Sequence, residues 1–179
     1  DRVSHLVVSA KFHREVSGEA PPASSVTAAA ATPQALRSAL QRAAAEGSEV
    51  LLALGGTPVL GERGARRELG RLLALTALPE VRSLAVDVAR LVPETGSGAW
   101  ALDHDAEVGS LMLREMLEAA QQHGTAILVE SNDYRSALLA PQLLVKALDA
   151  PGLERVRVGV SLPAELPESL QTAEALVGL

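Results

Sequence analysis

The chain has 179 residues, a length that usually forms one domain with a sizeable core. Hydrophobic residues make up 47% and charged residues 21%, which is an ordinary globular composition. The net charge of −6, the dispersed basic residues and the scarcity of aromatic residues argue against a nucleic-acid partner. Cysteine is absent, which excludes disulfides, thiolate nucleophiles and Cys-ligated zinc.

The two ends of the sequence give a second set of expectations. No apolar run approaches the roughly 20 residues that a membrane-spanning helix needs, and the start has no signal-peptide pattern. The sequence begins with Asp1 rather than Met and ends on an apolar periodic segment. We therefore expect a cytoplasmic chain that is a piece of a longer protein.

Short apolar runs, each followed by a segment of helical periodicity, organise the chain. The predicted strands are Leu6–Ala10, Val50–Leu54, Leu84–Val88, Ala126–Val129 and Val156–Leu162. The predicted helices are Pro33–Ala45, Ala65–Leu75, Asp105–His123, Tyr134–Leu148 and Pro167–Val177. Residues 15–31, rich in small residues, Pro and Ser, predict a flexible loop, and Leu91–Ala101 predicts a second, shorter loop.

Several residues mark the ends of the predicted helices. Thr32 is a predicted N-cap before Pro33, and Gly47 and Gly124 occupy C-cap positions. Pro141 lies inside the fourth helical pattern, where we expect it to kink the helix or delay its start.

Continuous apolar strands that alternate with helices are typical of a parallel sheet covered by helices. The pattern predicts an α/β fold of the (β/α) barrel type. About five βα units of a TIM-like barrel would form a single partial barrel domain over residues 1–179. An open doubly wound sheet is the alternative.

In both architectures the functional site lies at the C-terminal ends of the strands. The residues selected by that rule are Lys11, Gly55, Gly56, Asp87, Glu130, Asn132, Asp133 and Pro163. The two glycines have neither dinucleotide-binding nor P-loop spacing, and they predict a tight turn. Asn132 or Asp133 is a suitable N-cap for the helix that begins near Tyr134.

The triplet Asp103-His104-Asp105 raises the question of a metal site. It immediately precedes a long helical pattern, where an acidic residue stabilises the first turn. We therefore predict that Asp103 or Asp105 is a helix N-cap, and we expect no metal site.

Asp87 interrupts an apolar strand, where a carboxylate must be paired, solvated or protonated. The simplest expectation is a hydrogen bond to an amide of a neighbouring strand or a contact with Arg90. The alternative is catalysis, with Asp87 and Glu130 as an acid/base pair in an unrelated β/α enzyme.

Four segments follow one another along the chain: "LALGGTPVLGERGARREL", "PEVRSLAVDVARLVPE", "HGTAILVESNDYR" and "VGVSLPAELPESL". Together they resemble the proline dehydrogenase family, an FAD-dependent barrel found alone or as the first half of bifunctional proline-catabolic enzymes. The resemblance covers residues 45–179. It implies FAD as cofactor, oxidation of L-proline to 1-pyrroline-5-carboxylate, a homo-oligomer, and an aldehyde dehydrogenase module as possible partner domain.

The family's site residues carry over incompletely. The family's first glutamate falls on Gly56, although a shifted register offers Glu62, and its strand-three aspartate falls on Glu130. The lysine near substrate and flavin falls on Asp87, which reverses the charge. The flavin-contacting glutamine falls on Pro163, which has no side-chain amide.

These substitutions change what the resemblance implies for function. An aromatic position of the family falls on Glu165, so the strand ends are rich in carboxylates that repel an anionic substrate. Lys11 is the one strand-end cation and the remaining candidate for a cofactor contact. We expect a divergent proline dehydrogenase-like pseudoenzyme with a degraded flavin site, acting as a scaffold or interface. The alternative is an active flavoenzyme in the complete protein.

Overall fold

The computed structural model describes residues 5–11, 33–45, 51–53, 59, 61–93 and 99–177. The strands are β1 (His5–Lys11), β2 (Leu51–Ala53), β3 (Ser83–Asp87), β4 (Ala126–Glu130) and β5 (Arg157–Pro163). The helices are α1 (Pro33–Ala45), α2 (Gly61–Thr76), α3 (Val88–Leu91), α4 (Ala99–His123), α5 (Tyr134–Leu148) and α6 (Glu168–Val177). The predicted loop at 15–31, Thr32, Gly47, Gly55 and Gly56 lie outside the described residues.

The five strands form one parallel sheet in the order β1-β5-β4-β3-β2. Strands β2 to β5 are neighbours in chain order, as in the wall of a (β/α) barrel. Strand β1 pairs with β5, from His5 opposite Arg157 to Lys11 opposite Pro163. Strict chain order would place β1 beside β2, so the first βα unit departs from the simplest barrel arrangement.

One hydrophobic core lies on one face of this sheet. Every described helix contributes to it, from Leu40 of α1 to Leu176 of α6. The strand residues in this core alternate along each strand: Leu84, Val86, Ile127, Val129, Val158, Val160 and Leu162. A doubly wound sheet carries helices on both faces, whereas a barrel wall carries them on one. The predicted barrel-type α/β fold is therefore confirmed, and the doubly wound alternative is not.

The opposite face of the sheet, here called the inner face, carries mostly small and polar residues with two exceptions, Leu51 and Leu128. Because successive side chains of a strand point to opposite faces, the residues between the core positions lie on it. In β2 to β5 these are Leu51, Ala53, Ser83, Ala85, Asp87, Ala126, Leu128, Glu130, Arg157, Gly159, Ser161 and Pro163. Asp87, Glu130 and Ser161 thus share a face near the C-terminal ends of three adjacent strands.

Several local predictions are confirmed. Helices α1 and α5 have their predicted bounds. Gly124 has φ +70° directly after the last residue of α4, the left-handed conformation expected of a C-cap glycine. Of the two effects expected of Pro141, a delayed start is not observed, because the residue lies inside α5, which begins at Tyr134.

The predictions around the start of α4 were wrong. The helix begins at Ala99, so Asp103 and Asp105 lie inside it and neither is the N-cap, and the predicted loop at Leu91–Ala101 is shorter. Asp105 is fully buried and pairs with Arg135 of α5. This tertiary ion pair, rather than a local cap, accounts for the aspartate, because tertiary contacts routinely override local preferences.

Gly109 allows α4 to pack closely against its neighbours, and we expect Gly109→Ala to be destabilising. An added Cβ would lie 2.6 Å from Val92 Cγ2 and 2.7 Å from Leu143 Cδ2. Both of these side chains are buried, so overpacking should cost about 1–3 kcal/mol in the free energy of unfolding. Urea denaturation of the purified chain measures this change.

Gly70→Ala is the matched control for that substitution. Gly70 lies in α2 with nothing within 4 Å of an added Cβ. Its replacement should raise stability by up to about 1 kcal/mol, the difference in helix propensity. Equal effects of the two substitutions would contradict the close packing of α4.

Candidate functional site

Asp87 lies at the C-terminal end of β3 and begins α3. Its Oδ1 accepts a hydrogen bond of 2.9 Å from the backbone N–H of Ala89, so Asp87 is the N-cap of that helix. A carboxylate at this position satisfies an otherwise unpaired N–H and interacts favourably with the helix dipole. The residue that interrupts the apolar strand therefore has a local structural role.

The second carboxylate oxygen of Asp87 also has a partner. Asn132, just beyond the end of β4, donates from Nδ2 to Asp87 Oδ2 at 2.6 Å. The expected partner Arg90 instead forms a buried ion pair with Glu68 of α2. Of the two alternatives expected for Asp87, an amide partner is the one that the described contacts show.

Glu130 is the register partner of Asp87 on the adjacent strand. Both are half-buried on the inner face, and the spacing of paired strands, about 4.8 Å, places them side by side. The structure therefore brings the two predicted carboxylates together on one wall. A glycosidase-type acid/base pair instead faces its substrate from two sides.

The ends of β4 and β5 enclose a small open cavity, here called the rim cavity. Its volume is about 100 Å³, and its lining consists of Ser131, Asn132, Asp133, Tyr134, Pro163, Glu165 and Leu166. Asp133 is the N-cap of α5, as predicted, and accepts from Ser136 N at 2.8 Å. In the sheet register Lys11 lies opposite Pro163, so its backbone reaches the same edge.

Ser161 is a residue of this edge that the sequence did not single out. It is 1% exposed, and its Oγ has no hydrogen-bond partner among the described residues. Its backbone carbonyl accepts a 2.8 Å bond from Ser131 Oγ. A serine in an otherwise apolar strand is the available sequence signal, but nothing local predicts that its hydroxyl is left without a partner.

Two basic residues just after the ends of β3 and β4 form ion pairs with buried acids. Arg135, in the first turn of α5, pairs with Asp105, and Arg90 of α3 pairs with Glu68. Breaking a buried pair leaves an uncompensated charge, which is costly. These guanidinium groups therefore serve the packing of the helices.

Two carboxyl groups with lowered pKa values lie at the other end of the sheet, in the turns before β3 and β5. A hydrogen bond from Gln41 is the main cause that lowers the pKa of Glu80. Hydrogen bonds from its own backbone N–H and from that of Gly152 lower the pKa of Glu154. Glu154 is exposed, Glu80 is half-buried, and both belong to turn structure.

Two kinds of site are not found in the described part of the chain. No group of three His, Asp or Glu side chains there is arranged to hold a metal ion. No helix there is long and apolar enough to cross a membrane.

The fold is similar to known structures of proline utilization A. The protein from Corynebacterium freiburgense matches with a TM-score of 0.73 and 25% identity, over 83% of this chain and 15% of that chain. The protein from Bdellovibrio bacteriovorus inactivated by N-propargylglycine matches with a TM-score of 0.70 and 15% identity, over 82% of this chain and 17% of that chain. No protein-family model and no curated protein sequence matches this chain.

These similarities confirm the resemblance inferred from the four sequence segments. The chain has a proline dehydrogenase-like fold and corresponds to less than a fifth of the length of the two larger proteins. The similarity describes the arrangement of the strands and helices. The chemistry of the strand ends depends on the individual residues there.

The contacts of Asp87 predict a graded effect on stability. Asp87→Ala removes the cap of α3 and the acceptor of Asn132, and should cost about 1–2 kcal/mol in the free energy of unfolding. Asp87→Asn keeps one oxygen for the cap and should cost less than the alanine variant. Thermal and urea unfolding of the parent and the two variants measure their relative stabilities. An alanine variant as stable as the parent would contradict the capping role of Asp87.

Proposed function

We propose that this chain is a proline dehydrogenase-like barrel domain with a degraded flavin site, serving as a scaffold or interface within a larger proline-catabolic-type protein. The observation that carries the proposal is the engagement of Asp87. The resemblance places a lysine at this position. Here the residue is an aspartate, and its two oxygens accept hydrogen bonds from Ala89 N and from Asn132 Nδ2.

FAD-dependent oxidation of proline makes definite demands on such a site. A cation must hold the substrate carboxylate, and hydrogen-bond donors must surround the isoalloxazine ring. Pro163, at the position of the flavin-contacting glutamine, is buried and offers neither a side-chain amide nor a backbone N–H. The described residues at this edge therefore do not fit the flavin.

The charge of the edge supports the same conclusion. Asp87, Glu130 and Glu165 are carboxylates at or just beyond the ends of β3, β4 and β5, and like charges repel a substrate carboxylate. Lys11 is the remaining candidate for that role, since the register places it opposite Pro163.

A scaffold role agrees with the division of the sheet into two faces. The helix-covered face keeps a continuous core, while the inner face includes an apolar cavity of about 250 Å³ with Leu51 and Leu128 in its lining. Leu51, on the short strand β2 at the edge of the sheet, is 49% exposed. The proposed partners are the rest of a longer cytoplasmic protein, such as an aldehyde dehydrogenase module, or another copy in a homo-oligomer.

The second candidate function is active FAD-dependent oxidation of L-proline to 1-pyrroline-5-carboxylate in the complete protein. The fold similarity to proline utilization A favours it, together with the position of Lys11. Under this alternative, Lys11 supplies the positive charge that Asp87 does not.

Titration with FAD tests the proposal. We expect the full-length protein to gain no protein-bound flavin absorbance attributable to residues 1–179 and no proline-dependent dye reduction from this domain. Deleting residues 1–179 should alter assembly or stability without removing a flavin. Loss of proline-dependent dye reduction on deletion would overturn the proposal.

Lys11→Ala separates the two candidates. If the flavin site is degraded, Lys11→Ala should have the same flavin content and the same rate of proline oxidation as the parent, because this domain binds no flavin. The active alternative predicts a higher KM for proline, since the substrate carboxylate loses its cation. Lys146→Ala, which removes an exposed lysine of α5, is the matched control.

A further inference from the structure

We propose that helices α2 and α4 form the interface of a dimer between two copies of this chain, in which the exposed side of α2 in each copy packs against the exposed side of α4 in the other. The inference rests on the interface role in the proposed function and deepens it, because it names the partner and the surface. It is drawn from two exposed helix faces of opposite charge that lie side by side on one molecule.

The exposed side of α4 combines large apolar residues with carboxylates. Trp100 and Leu111 are 68% and 63% exposed, and Asp103 and Glu107 are exposed between them. These four residues are separated by three, four and four positions, so they lie on one face of the helix, here called the acidic face. Two large apolar side chains left in water on one helix face indicate a contact surface.

The exposed side of α2 has the complementary character. Arg63, Arg67, Gly70 and Ala74 are exposed and are separated by four, three and four positions, so they also share one face, here called the basic face. An added Cβ at Gly70 would have nothing within 4 Å, so a bulky side chain from outside has room to approach there. Guanidinium groups stack favourably on aromatic rings, which suits a tryptophan as the incoming residue.

The two faces adjoin, and their charges are available to a partner. Arg66 Nη1 of α2 lies 3.1 Å from Glu115 Oε2 of α4, so the two helices are neighbours at the surface. Among the described residues, the side chains of Arg63, Arg67 and the two acids of the acidic face form no ion pair. Their charges are therefore left for an intermolecular contact.

This arrangement favours a second copy of the chain over an unrelated partner. In a two-fold dimer the same patch meets itself, so that residue i contacts j and j contacts i. A patch of one sign would repel itself. A patch that is basic on α2 and acidic on α4 instead joins opposite charges twice, once on each side of the two-fold axis.

Sedimentation velocity of the purified chain tests the association directly. We expect a monomer–dimer equilibrium as the concentration is raised from about 5 µM to about 500 µM. The dimer should weaken by at least about threefold when NaCl is raised from about 0.05 M to about 0.5 M, because salt screens exposed charges. A chain that remains monomeric over this range, or a dimer that is insensitive to salt, would overturn the proposal.

Two charge-reversal variants identify the surface. Arg63→Glu/Arg67→Glu and Asp103→Arg/Glu107→Arg should each weaken self-association by at least about tenfold, since every contact then joins like charges. An equimolar mixture of the two variants should form a heterodimer, because opposite charges meet again at both contacts. Recovery in the mixture also shows that both variants are folded. A mixture that stays monomeric, or variants that dimerise as the parent does, would reject this interface.

Further variants separate the surface from net charge and from general exposure. Lys146→Glu/Arg155→Glu makes the same change in net charge as the α2 variant at exposed positions elsewhere, and should dimerise as the parent does. Trp100→Ala should weaken the dimer by about tenfold, because buried tryptophans are frequent hot spots of interfaces. Tyr134→Ala, which removes a similarly exposed aromatic residue from α5, should have no effect. Equal effects within either pair would contradict the proposed surface.

Flavin titration does not depend on this equilibrium, so the two proposals fail separately. A monomeric chain without flavin would overturn the dimer and leave the degraded flavin site standing. A dimer that binds flavin and oxidises proline would do the reverse.

Discussion

The packing of the described helices against one face of the parallel sheet is the constraint on which the rest of the structure depends. It requires large apolar side chains at alternate strand positions, such as Val86, Val129 and Val160. Because side chains alternate along a strand, the residues between them lie on the inner face, whether they are polar or apolar. Asp87 and Glu130 meet because the register aligns Val86 with Val129, one position earlier in each strand.

The fold could be predicted from the sequence to the extent that its signals are local. Apolar runs and helical periodicity locate the strands, and Tyr134–Leu148 keeps its predicted bounds. The start of α4 could not be predicted, because Asp105 is held by Arg135 from another helix. The pairing of β1 with β5 is a non-local choice, and no short segment of sequence encodes it.

In the candidate site, too, the local features could be predicted from the sequence and the non-local contacts could not. The position of Asp87 at a strand end follows from the hydrophobic pattern. Its partners do not, because Ala89 belongs to a helix of four residues and Asn132 to the next loop. The unpartnered hydroxyl of Ser161 is likewise a property of the assembled sheet. Sequence identifies which residues reach the edge, and only three-dimensional packing determines which of their polar atoms are already satisfied.

The placement of β1 beside β5 has a consequence for how the chain folds. The first described strand to be synthesised, β1, pairs with the last described strand, so its backbone hydrogen bonds cannot form until β5 has been made. Pairing across so long a separation also carries a large loop-closure entropy, which slows folding. Strands β2 to β5 can assemble earlier through shorter connections. Until β1 has paired, their sheet exposes the β5 edge, which can then mispair with another chain.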